Sequence, residues 1–329
     1  MPQRQLFCSR LLNRCFDALY LGALSKRHAE RNRDRVLCLL YHDVSEETAV
    51  VSHTLTDTCV SVAELSSDIG LLKSFGAVFT TLRDWWSEPG RFAGRFTVVM
   101  CFDDCYRGTY ENGLPLLEKE NVPAVLFQTS GMIVPNETVW EHKLLKIIEL
   151  SARQGTFSQV DFALQKLGGS RKDPVVSLLN RPKLRIQGEL AALAEACGDG
   201  VVDKEVRSRY PTAEHLQAAV EQGHELASHG AGHWARGQLT DLEFCEDLAD
   251  SKETLAVCCG QEITSYSFPY GDHRAGDDRL CSRYFQRCGT TEYGSHHYND
   301  TAFFVRRNSW PGPARNKLRQ RRWLLSGRI

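Results

Sequence analysis

The chain has 329 residues, a formal net charge of −1, 42% apolar and 25% charged residues, which is the balance of an ordinary globular protein with room for one large α/β domain or two smaller ones. A charge so close to zero excludes a general nucleic-acid binder. Twelve cysteines scattered without repeated CxxC pairs read as reduced thiols in a cytosolic core, with metal or redox roles for Cys101, Cys105, Cys258 and Cys259 as the alternative.

Taken in order, "SRLLNRCFDALYLGALSKRHAERNRDR" repeats apolar residues at helical spacing (Leu12, Cys15, Phe16, Leu19, Ala23) and ends in a basic cluster from Lys26 to Arg35. Residues 1–35 are therefore expected to form a basic amphipathic helix, lying on an anionic membrane surface or docked on the main domain. Arg4, Arg10, Arg14 and Asp17 break up any secretory leader, and no run of about 20 apolar residues occurs. The expected location is cytoplasmic, with a peripheral contact on the inner face of the membrane as a variant.

"RVLCLLYHDV" reads as a buried strand ending at Tyr41 and His42, and the polar stretch from Ser45 to Thr58 as a loop. "VAELSSDIGLLKSFG" predicts a helix closed by Gly76, "FTVVMCF" (Phe96 to Phe102) a second strand, Gly113 to Glu120 a helix, and "PAVLFQT" a third strand. Strand, helix and strand in this order imply parallel pairing. From about residue 138 to 222 the pattern turns helical with charged faces and carries no obvious catalytic cluster, so it reads as a helical insertion or cap. Strands return at "HELASH" (His224 to His229) and "SYSFPYG" (Ser265 to Gly271), and a basic tail occupies residues 311–329.

Three clusters can carry chemistry. Asp103 and Asp104 follow an apolar strand, and carboxyl ends of parallel strands face the sites of α/β folds. Two adjacent carboxylates without a neighbouring cation repel one another. A metal would take one as a ligand and leave the other to accept a proton; a helix N-cap pair is the structural alternative. His229 and His233 in "SHGAGHW" can converge on one metal from a helical turn or a tight loop, and Gly230 excludes the HExxH pattern. In "SFPYGDH", Pro269 and Gly271 shape a turn whose backbone N–H could face an oxyanion.

At these residues the sequence resembles the polysaccharide deacetylase family, the NodB-homology domains of carbohydrate esterase family four. "VMCFDDCYRGTYENGLPLLEKENVPAVLFQTSGMI" is similar to its first motif region, "GHELASHGAGH" to its second, "SFPYG" to its third and "RCGTTEYG" to a late segment, over roughly residues 36–310 outside the insertion. The resemblance implies an α/β fold, a distorted, incomplete (β/α) barrel of seven strands with a helical insertion. It implies Asp103 as general base, a divalent metal on Asp104, His229 and His233, and the Tyr270 N–H at the oxyanion. Zinc is the expected metal, although ligand type leaves other divalent ions open. The implied reaction is N-deacetylation of an N-acetylated sugar, such as a lipid-linked glycan precursor of a surface polysaccharide, without nucleic acid. The alternatives are a deformylase or other amidohydrolase and a non-catalytic sugar-binding member.

The sequence departs from the family pattern at Cys105 (usually Gly), at Gly230 (usually Ser or Thr) and at Ser267, where many members carry the arginine that orients the base. No L-x-H motif supplies the general acid. "FFVRRN" stands near its expected place, and His296 and His297 are candidates by proximity in sequence.

Overall fold

The computed structural model describes residues 30–46, 59–155, 157–170, 172–197 and 204–309. Most of the expected N-terminal amphipathic helix, most of the Ser45 to Thr58 loop and the basic C-terminal tail lie outside the described residues.

In chain order the main elements are β1 (Arg35–Tyr41), β2 (Val44–Ser45), β3 (Val60–Ser61), α1 (Val62–Ser74), β4 (Ala77–Thr80), α2 (Leu82–Ser87), β5 (Phe96–Asp104) and α3 (Leu114–Lys119). After β6 (Ala124–Gln128) come four helices, α4 (Trp140–Gln154), α5 (Phe157–Leu167), α6 (Lys183–Cys197) and α7 (Ala213–Glu221). The chain continues through β7 (Glu225–Ser228), α8 (Asp241–Cys259), β8 (Ser265–Ser267), α9 (Asp277–Cys281), β9 (Arg287–Thr290), β10 (His296–His297) and β11 (Phe304–Ser309). Among the described residues no helix is long and apolar enough to cross a membrane.

Seven parallel strands form a ring in the order β1, β11, β9, β8, β7, β6, β5, and β5 pairs back onto β1 to close it. This is the seven-stranded α/β barrel that the resemblance implies, except that the β5–β1 pairing closes the ring rather than leaving it incomplete. β4 lies beside the first half of β5, and β10 runs antiparallel beside the first residues of β1. The β1 and β5 sequences are apolar almost without alternation because both strand faces are covered, and every residue of both is buried.

Alternation nevertheless sorts their side chains. Val36, Cys38, Val99, Cys101, Val125, Phe127, Ala227 and Val305 form one cluster, the barrel interior, closed at its amino end by Leu82 and Trp85 of α2. The intervening residues, among them Leu37, Leu39, Val98, Met100, Leu126 and Leu226, join a larger cluster under the helices. Continuing the inward row of β5 one step beyond Cys101 reaches Asp103, and two steps beyond Cys38 on β1 reaches His42.

Local chemistry sets the helix ends. Ser61 and Glu64 form a reciprocal cap at the start of α1, as Thr240 and Glu243 do for α8. Gly76, at φ 73°, ends the α1 segment as its position in the sequence predicts. Between β6 and β7, α4 packs against α5 and α6.

His224, just before β7, is buried and accepts the Ala124 N–H through Nδ1 at 3.1 Å. Burial lowers its pKa from 6.5 to about 4. Below pH 6.5 the unfolded chain takes up a proton that the folded chain refuses, so stability falls as pH drops through this window, by about 3 kcal/mol in full. Denaturant titrations from pH 7 to 4 are expected to show this slope. His224→Asn, which keeps an acceptor and does not titrate, is expected to flatten it.

Candidate active site

The site gathers where the carboxyl ends of β1, β5, β7, β8 and β11 meet. β5 runs two residues further than expected, through both aspartates, and then turns sharply, with φ 63° at Asp104 and φ 54° at Cys105. Left-handed backbone costs a residue with a side chain about 1–2 kcal/mol, which gives the usual glycine at the Cys105 position its physical reason. The turn separates the two carboxylates: Asp103 pairs with Arg307 and Asp104 faces the two histidines.

The expectation that no cation neighbours the aspartates is corrected by Arg307 of β11. Its Nη1 donates to Asp103 Oδ1 at 2.5 Å and its Nη2 to Oδ2 at 2.9 Å, with the guanidinium 4.7 Å from the Phe127 ring centroid. Arg307 is fully buried. Burial raises the Asp103 pKa, but Arg307 and then His229 outweigh it, so the carboxyl sits below its ordinary range and is ionised at neutral pH. The arginine missing at position 267 is thus supplied from another strand. Ser267 takes the smaller role of bridging His229 Nδ1, 2.6 Å from its hydroxyl, to Asp103 Oδ1 at 3.4 Å.

The "RCGT" strand makes room for this arginine. A Cβ on Gly289 would lie 2.5 Å from Arg307 Nε and 2.9 Å from its Cδ. Gly289→Ala is expected to displace the guanidinium and lower turnover at least tenfold while the far-UV spectrum is unchanged. Retention of full activity would show that the pair tolerates the shift.

His229 and His233 converge from a tight loop. The His229 Nδ1–H donates to the Ser267 carbonyl at 2.9 Å, leaving Nε2 3.4 Å from Asp104 Oδ1. His233 presents Nε2 to the same oxygen at 2.9 Å and bonds Glu141 through Nδ1. Asp247 of α8 holds the loop by accepting the Ala231 and Gly232 N–H groups at 3.0 and 3.1 Å. Gly230 has φ 79°, and a Cβ there would lie 2.7 Å from Asp247 Oδ2, so the usual Ser or Thr does not fit this loop.

The three ligand atoms of Asp104, His229 and His233 lie within 4.8 Å of one another, and buried Asp104 Oδ1 accepts no hydrogen bond. With Nδ1 of each histidine directed elsewhere, both Nε2 atoms face one carboxylate oxygen. Two imidazole nitrogens and a carboxylate oxygen gathered this closely fit a divalent cation. Burial lowers the His233 pKa, but Glu141 and Asp104 outweigh it and raise it well above the ordinary histidine value, so a cation at Nε2 would take the place of a proton that the two carboxylates otherwise favour.

Tyr270 sits in the Pro269–Gly271 turn at φ 59°, ψ 7°, its ring centroid 4.7 Å from that of His233. His296 and His297 do not reach the site. β10 pairs with Arg35 and Val36, at the opposite end of β1 from Tyr41, about 20 Å away at strand rise. His296 is instead bonded to Asp300 at 2.7 Å and to the Arg306 N–H at 2.9 Å.

The imidazole present at the carboxyl end of β1 is His42. Its carbonyl accepts from Thr109 Oγ1 at 3.1 Å. Burial lowers its pKa, while its neighbours Asp104 and Asp103 pull the other way. The same signal that selected Asp103, a polar side chain at the end of a buried strand, was present in "LLYHD".

The helical segment also enters the site, contrary to its reading as a stretch without chemistry. Trp140 Nε1 donates to the His233 carbonyl at 3.1 Å, and buried His142 links the Tyr106 hydroxyl at 2.5 Å to the Tyr210 hydroxyl at 2.9 Å. A cavity of about 300 Å³ lies behind Tyr106 and His142, lined also by Lys146, Glu205, Arg209 and Tyr210.

The poly-beta-1,6-N-acetyl-D-glucosamine N-deacetylase of Staphylococcus aureus is 29% identical over 119 residues, 33% of this chain and 41% of that protein. Its Staphylococcus epidermidis counterpart is 30% identical over 111 residues, 31% and 38% of the respective chains. The chain therefore spans about two fifths of the length of these curated relatives. IcaB from Ammonifex degensii superposes with a TM-score of 0.56 at 16% identity, covering 89% of this chain and 97% of that one. The Streptococcus pyogenes deacetylase PplD in complex with acetate does so with 0.55 at 14%, covering 87% and 97%. Both share the fold. Residues 92–284, more than half of the chain and including both aspartates, both histidines and Tyr270, match the sequence profile described as Polysaccharide deacetylase, and the chain belongs to that family.

Proposed function

We propose that the protein is a metal-dependent hydrolase that removes N-acetyl groups from a polysaccharide of N-acetylglucosamine type, a surface polysaccharide or its precursor. The observation that carries this reading is the arginine-paired carboxylate of Asp103 beside the cluster of Asp104, His229 and His233. The names of the staphylococcal relatives support the substrate class.

In this reading Asp104, His229 and His233 hold the metal. When bound, a divalent ion supplies the Lewis acidity that activates water and polarises an acyl oxygen. Asp103, kept ionised and aimed by Arg307, accepts the proton of the attacking water. The Tyr270 N–H meets the developing oxyanion, and His42 delivers a proton to the leaving amine. A sugar-binding protein that had lost catalysis would have no need of this buried, charge-matched set.

The test is acetate release from N-acetylglucosamine oligomers, run beside formamido sugars and ureides, before and after treatment with a chelator. Turnover of the acetylated oligomers that is lost to the chelator and restored by zinc is expected. Turnover of only the formamido or ureide substrates would move the activity to another carbon–nitrogen bond. Tight oligomer binding without acetate release would favour the sugar-binding alternative.

A further inference from the structure

Glu141 lies outside every motif that the sequence offers, yet it touches the ring of His233. It stands in the first turn of α4, buried to 1% exposure, with Oε1 bonded to His233 Nδ1. On the other side of that imidazole, Nε2 lies 2.9 Å from Asp104 Oδ1. His233 is therefore held between two carboxylates, one at each ring nitrogen. The preceding residue, Trp140, grips the backbone of the same histidine through its carbonyl.

The two histidines are not equivalent. His229 gives its Nδ1 proton to a neutral carbonyl, whereas His233 gives its proton to a carboxylate. A carboxylate acceptor makes the opposite nitrogen a stronger donor and fixes which nitrogen is left for a metal. The Tyr270 hydroxyl lies beside Glu141, with its ring tilted against that of His233, centroids 4.7 Å apart. A buried carboxylate is costly unless it has a fixed polar partner. The His233 Nδ1–H meets that requirement.

We infer that Glu141 is a positioning residue of the metal centre: it holds His233 in the form that carries its proton on Nδ1 and presents Nε2 to the metal. This rests on the reading of Asp104, His229 and His233 as metal ligands. One consequence is that the helical segment between β6 and β7 is built into the metal site.

The experiment compares zinc affinity, by competition with a chelating dye, in the wild type, Glu141→Leu and Glu141→Gln, together with the melting temperature of each metal-free protein. Glu141→Leu, which removes the acceptor, is expected to weaken zinc binding about 10- to 100-fold. Glu141→Gln, which keeps an acceptor without charge, is expected to fall between, with a metal-free melting temperature closer to wild type than that of Glu141→Leu. Unchanged affinity in both variants overturns the role of Glu141 and leaves the ligand set standing. A wild type that binds no zinc overturns both. Where Glu141→Leu does not fold, nitrogen-15 spectra of the zinc-loaded wild type decide: a protonated Nδ1 on His233 with zinc at Nε2 supports the inference, and the reverse assignment ends it.

Discussion

Arg307→Met is expected to silence the enzyme about as completely as Asp103→Asn, each losing on the order of 100- to 10,000-fold in turnover of N-acetylglucosamine oligomers. Asp103→Asn removes the proton acceptor. Arg307→Met leaves the acceptor in place but buried and uncompensated, so desolvation, the largest influence on Asp103, is no longer outweighed. The carboxyl pKa is then expected to rise, and the carboxyl is free of its two-point hold. Stability should separate the two effects. Breaking a buried pair from one side costs about 3–5 kcal/mol, whereas removing both charges often costs little. The double variant Asp103→Asn, Arg307→Met is therefore expected to regain much of the stability lost by Arg307→Met and none of the activity. Denaturant unfolding and acetate release on the four proteins complete the cycle. If Arg307→Met keeps near wild-type turnover, the pair is structural and Asp103 is not the base.

His42→Gln is expected to lower acetamide turnover by about 100- to 10,000-fold, the usual contribution of a positioned acid. An amine leaves only after it is protonated, whereas a nitrophenolate leaves without help. Hydrolysis of a nitrophenyl acetate by the same variant should therefore fall far less than oligomer turnover. Zinc content should be unchanged, because His42 is not among the three clustered candidate ligands. Equal losses on both substrates would remove His42 from proton delivery and leave it a packing role at the end of β1.

The parts of this site that could be read in the sequence were local ones. Asp103 and Asp104 end a nine-residue buried strand, and the spacing of His229 and His233 fits a loop that closes on one ion. The alternation of strand and helix was enough for a parallel sheet, and the motif resemblance supplied the barrel. What escaped were contacts between distant segments. Arg307 follows Arg306 in a strand where one side chain is exposed and the next is buried, and two adjacent arginines read as solvated. Glu141 and His142 sit in a helix whose charged positions look like an outer face, yet both are buried against the barrel. His42 was visible as the last residue of a strand, but its significance depended on β1 pairing with β5.

Asp103 and its guanidinium partner are separated by 204 residues, and that partner arrives on the last strand of the ring. A nascent chain leaving the ribosome presents both aspartates and both histidines well before residue 307 is made. Until β11 inserts between β1 and β9, the Asp103 carboxylate lacks its guanidinium partner. Translation thus delivers the carboxylates and imidazoles early and the arginine late, so a polypeptide stalled or clipped short of β11 lacks the two-point hold on Asp103. The complete constellation becomes a property of the finished barrel alone.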